Sequence, residues 1–120
     1  MFALRSLALT GILFASTAAL PAHAAGPFDG TYAGTNTNTA SGGAGCAEGG
    51  PAARVVTDSS FVLKWAGRDA RFEVGADGTI NSSANVGIAL LNAKGKIAGG
   101  VMTYDVTSQR CSFHFEGRKR

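Results

Sequence analysis

KIAGGVMTYDVTSQRCSFHFE, residues 96–116, decides the fold. Its apolar residues recur at every second position rather than at helical spacing. Gly99-Gly100 is the kind of two-residue turn that joins antiparallel strands. Folding the segment there sets Ile97 opposite Met102. A second fold over TSQR (107–110) matches Val106 with Cys111, Tyr104 with Phe113 and Met102 with Phe115. Every one of these groups then lies on one face, as a strand with one buried side requires.

The pattern continues toward the amino terminus. FVLKWA (61–66) pairs with RFEV (71–74) across GRDA, so that Trp65 faces Phe72, Leu63 faces Val74, and Lys64 meets Glu73 on the other face. ADG (76–78) predicts a three-residue turn with glycine at the left-handed position, which sets Val74 against Ile80. Across DSS (58–60), Val55 and Val56 compete for the inner face, and VGIALL (86–91) reads equally as a buried strand, a helical turn or a loop. TYAGTNTNT (31–39) reads as a first strand whose polar face carries Thr31, Thr35, Thr37 and Thr39, followed by a loop ASGGAG leading to Cys46. A phosphate loop would need a following Lys-Ser or Lys-Thr and a helix, and neither is present.

The expected fold is therefore all-β. It is an antiparallel up-and-down meander of about eight short strands, from near 30–36 to near 110–116, expected to be closed or nearly closed into a small barrel, with a curled open sheet or a sandwich as the alternatives. Leu63, Trp65, Phe72, Ile97, Met102, Tyr104, Phe113 and Phe115 form its inner face. Side chains of that size fill a small barrel, which disfavours a deep internal ligand cavity.

Residues 1–24 read as a secretory signal peptide. Arg5 is followed by the uncharged run Leu7–Leu20, then Pro21 and the small-residue site Ala22-His23-Ala24. That run is short of the about 20 apolar residues a spanning helix needs, so no stable membrane insertion is expected. Residues 25–120 form a single small domain. Cys46 and Cys111 are its only cysteines and are expected to pair as a disulfide in an oxidising compartment. Because they flank the first and last strands, their bond brings those strands together. The order DGTYAG, cysteine, glycine-punctuated hairpins and a cysteine at the final strand resembles small secreted bacterial β-proteins. That resemblance implies the bacterial periplasm or the extracellular space.

The chemistry is sparse. The whole chain has 11 basic and 8 acidic residues, a balance too small for nucleic-acid binding. The tail Arg118-Lys119-Arg120 reads as solvated. His114 is the only histidine beyond the leader and is expected to point outward, beside Glu116. Neither a metal site nor a cofactor is called for, and the repeated Asp-Gly-Thr at 29–31 and 77–79 marks turns or strand starts. The expected function is a non-catalytic exported binding or inhibitor-type module, probed against two alternatives: a small hydrolase using surface carboxylates or His114, and a structural envelope protein. In a meander, 37–52, 67–70, 86–93 and 107–110 gather at one end, and 58–60, 76–78 and 99–100 at the other. The long-loop end is the better binding surface. Its candidate residues are Trp65, Arg68, Lys94 and Arg110, with Glu48 and Asp69 offsetting their charge. The expected partner is a protein or an acidic glycan, met by a monomer.

Overall fold

The computed structural model of the protein describes residues 26–39, 46 and 49–120. The expected signal peptide and the ASGGAG loop lie outside the described residues, as does Glu48. Within them all regular structure is strand: β1 (Gly30–Asn38), β2 (Gly50–Val56), β3 (Ser60–Trp65), β4 (Arg68–Glu73), β5 (Thr79–Val86), β6 (Ala89–Ala98), β7 (Val101–Thr107) and β8 (Ser112–Lys119). Every pairing is antiparallel. One sheet runs in the order β2-β1-β8-β7-β6-β5, and β3-β4 form a second sheet of two strands. First and last strands are direct neighbours, with Thr35 opposite Glu116.

The hydrogen-bonded ladder does not close. β2 and β3 share the Thr57–Ser60 bridge at their turn and then part. β4 and β5 meet through the Val74–Ile80 bridge and a 3.0 Å bond from the Glu73 amide to Ser82 Oγ. What unites the two sheets is a shared core. Phe61 of β3 lies 5.6 Å from Phe72 and 5.1 Å from Tyr104, whose ring lies 5.5 Å from Phe115. Tilted rings at such separations are favourable beyond their burial.

The period of two selects the inner rows. Phe72, Ile97, Met102, Tyr104, Phe113 and Phe115 are buried, while Leu63 and Trp65 pack partly buried at the margin. The competition in β2 is resolved in favour of Val56, which is 2% exposed against 56% for Val55. Two inward-facing glycines let strands cross closely. A Cβ at Gly34 would strike the Glu116 carbonyl, and one at Gly95 the Thr103 carbonyl.

Two registers differ from the sequence reading. β3 and β4 turn tightly at Ala66-Gly67, so Trp65 faces Arg68, Phe61 faces Phe72 and Lys64 meets Asp69. Both turn residues have positive φ, 51° and 78°. The GRDA loop is therefore a two-residue turn, with Arg68-Asp69-Ala70 already in strand. At the last hairpin, Val106 faces Phe113 and Tyr104 faces Phe115. Cys111 thus belongs to the connection rather than to the strand, its carbonyl accepting the Ser108 amide at 2.8 Å. In both hairpins the slip preserves parity, so the correct faces are buried with the wrong partners assigned. The other two turns agree with the sequence: Val74 bridges Ile80 below Gly78, and Ile97 faces Met102 across Gly99-Gly100. The open segment 86–91 is the end of β5, a turn at Gly87-Ile88 and the start of β6.

Residues 26–29 cover the end carrying the short turns. Phe28 packs against the core, and its carbonyl accepts the Tyr32 hydroxyl at 2.7 Å. The Asp29 carboxylate accepts the amides of Asp58 and Ser59 at 2.8 and 3.0 Å. Those two residues have positive φ, 52° and 61°, and form the β2–β3 turn. The backbone bond from Ser59, aided by that from Asp58 and opposed by slight desolvation, holds the Asp29 carboxyl below its usual range. A carboxyl depressed on folding adds stability above its unfolded pKa and loses it as pH falls through the folded value. Asp29→Asn should therefore flatten the acid limb of the stability profile below about pH 4. Urea midpoints of both proteins across the acid range would check this.

Candidate functional site

Strand alternation gathers the turns at 66–67, 87–88 and 108–111 at the same end as Cys46 and Thr39. Trp65 closes β3 there, its indole edge-on to Phe113 at 5.4 Å and 83°. Phe113 is buried, so the tryptophan is held by the core while its far side lies open. The 108–111 connection is fixed by Ser108, whose Oγ accepts the amides of Arg110 and Cys111 at 3.3 and 3.0 Å. The Cys46–Cys111 disulfide, with Cα atoms 5.6 Å apart, ties this connection to the segment between β1 and β2. Thr39 adds a backbone bond to Ser112.

A cleft of about 330 Å³ opens between these pieces, lined by Trp65, Ile88, Ala89 and the 108–111 connection. Trp65 and Arg110 thus share one surface beside the disulfide. Ile88, fully exposed at its turn, adds an apolar tip. Arg68 opens β4 opposite Trp65 and reaches over Gly87. Neither Arg68 nor Arg110 has an ion-pair partner among the described residues. Asp69 does not offset them, because it is engaged with Lys64 on the outer face.

Lys94 does not join this rim. It sits midway along β6, between Asn81 and Asp105 on the outer wall. The sequence reading placed it near the disulfide because it took 86–93 as a long connection, whereas β6 begins at Ala89. His114 points to the outer wall as its parity predicts. Its Nδ1 lies 2.9 Å from Asp105 Oδ1, and Nε2 lies 4.0 Å from Glu116 Oε1, too far for a hydrogen bond. The closer partner was hidden by the register slip, which places Asp105 opposite Ser112 instead. None of the described cavities is lined by His114. Among the described residues no group of three or more His, Cys, Asp or Glu is placed to hold a metal ion.

The residue that sequence reading missed is Arg54. With Val56 inward, period two also sends Arg54 and Ala52 inward. Its Nε donates to the Tyr104 hydroxyl at 2.6 Å, Nη1 donates to the Ala53 carbonyl at 3.0 Å, and the guanidinium lies 4.8 Å above the Phe115 ring. Burial pushes the Tyr104 hydroxyl above the usual phenol range, with Arg54 opposing. The undecided choice between Val55 and Val56 concealed this group, since settling it for Val56 places a cation on the inner face. No protein-family model, curated protein or solved structure matches the chain, so its function is to be read from this geometry.

Proposed function

We propose that the protein is an exported, non-catalytic binding module that meets a protein or an acidic glycan through its long-loop rim. In this reading the meander is a nearly closed barrel that acts as a rigid holder for that rim. The observation carrying it is the cleft shared by Trp65, Ile88 and Arg110 beside the disulfide. A tryptophan anchored by the core and open on one side presents apolar area at low entropic cost. Arginine adds planar, multidentate recognition of carboxylates. Crosslinking of the tagged protein in the exported fraction, followed by identification of what is captured, tests the proposal. The double reversal Arg68→Glu/Arg110→Glu should weaken capture by roughly tenfold or more, whereas Asp77→Lys at the opposite end should leave it unchanged. Sensitivity at Asp77 with silent arginines would overturn the assignment.

The Asp105–His114 pair supports a second reading, a small hydrolase in which a carboxylate orients the imidazole. Turnover of generic ester or glycoside substrates, abolished in His114→Ala, would favour it over a binding module.

A further inference from the structure

We propose that the groove between β2 and β3 is a binding site for a small organic carboxylate, held by Arg54. The groove exists because the two strands separate beyond their turn; it is open to solvent and has a volume of about 510 Å³. Pro51, Ala52, Val62 and Leu63 supply apolar walls, and Asn36 and Arg54 supply polar groups. It has no lining residue in common with the rim cleft.

Arg54 is oriented without being neutralised. A guanidinium carries five N–H donors, and the bonds to Tyr104 and Ala53 employ two of them. Among the described residues no carboxylate lies within ion-pair distance of it, and none of those lining the groove is acidic. Lys64, at the outer lip, is already engaged with Asp69. A half-buried cation with no counter-charge among the described residues costs desolvation energy that the Phe115 face offsets only in part. A ligand anion in the groove would complete the set. The remaining donors suit a planar carboxylate, which accepts two parallel N–H bonds, and the apolar walls suit a short hydrocarbon body. The pinned side chain also loses little freedom on binding.

Calorimetric titration with benzoate and hexanoate tests this, with benzamide and inorganic phosphate as comparison ligands. At least one carboxylate should bind the wild-type protein saturably, and benzamide should not. Arg54→Gln should weaken that binding by about tenfold to a hundredfold. Ala52→Leu should also abolish it, because it fills the groove without touching the guanidinium contacts. The rim variant Arg68→Glu/Arg110→Glu should bind the carboxylate normally, which separates this site from the rim. In the wild-type protein the Arg54 Nε–H resonance should shift with the titration. That readout decides the question even if Arg54→Gln fails to fold. The proposal is overturned if neither carboxylate saturates, if phosphate binds and they do not, or if Ala52→Leu binds unchanged and the Nε–H signal stays still.

Discussion

Phe115→Ala should lower the unfolding free energy by about 3–5 kcal/mol, the largest effect expected of any single substitution here. Phe115 is completely buried and its ring packs against Tyr104 at 5.5 Å. It also fills the space in front of Gly117, where a Cβ would collide with the ring. Truncation therefore removes a full aromatic burial and leaves a cavity between β1, β7 and β8 that backbone pairing prevents from collapsing. It also strips the ring from beneath the Arg54 guanidinium, leaving that cation with only its bonds to Tyr104 and the Ala53 carbonyl. Phe115→Leu keeps much of the volume and should cost clearly less, with most of the difference from alanine reflecting the cavity. Urea denaturation of the three proteins, compared at constant slope, reads these values. A loss of less than about 1 kcal/mol for alanine would show that the centre is more loosely packed than its burial indicates.

Removal of the disulfide in the double variant Cys46→Ser/Cys111→Ser should cost roughly 4 kcal/mol, the loop-entropy value for a ring of this length. The two cysteines are 65 residues apart in sequence, so reduction frees most of the domain's unfolded chain from a closed loop. The loss should fall on the unfolded state more than on the native contacts. β1 and β8 are joined by their own ladder from Tyr32–Lys119 to Asn38–Phe113. Ser108 holds the 108–111 connection through bonds to the backbone of residue 111. Chemical denaturation should therefore show a lower midpoint, while amide exchange in β1 and β8 remains protected relative to the turns. Loss of that protection in otherwise native conditions would mean that the disulfide, not the ladder, holds the first and last strands together.

The candidate rim was legible wherever it depended on strand order. Alternation of direction alone brought Trp65 and Arg110 to one end, and Cys46 to Cys111. Lys94 was misplaced because Ala89-Leu90-Leu91 gives no periodic signal. Strand, turn and loop are equally compatible with a short apolar run. Asp105 beside His114 was missed for another reason. A hairpin register that slips by an even number of positions keeps every side chain on its correct face, so the hydrophobic pattern cannot detect the error. Only turn geometry distinguishes such registers, and it did so at Ala66-Gly67 through positive φ and at 108–111 through the Ser108 bonds.

By itself the sequence determined the all-β antiparallel class, the inward rows outside β2 and the identity of the paired cysteines. These follow from a period of two, from glycines at turns and from an even cysteine count. Each is a local property or a matter of counting. The tertiary structure decided the registers, the parting of β2 from β3, and the inward arginine. These depend on which surfaces meet across the core. Arg54 is tolerated on the inner face because the Tyr104 hydroxyl and the Phe115 ring, both remote in sequence, converge on its guanidinium. No local pattern in PAARVV encodes that convergence, because the groups that stabilise the charge belong to other strands.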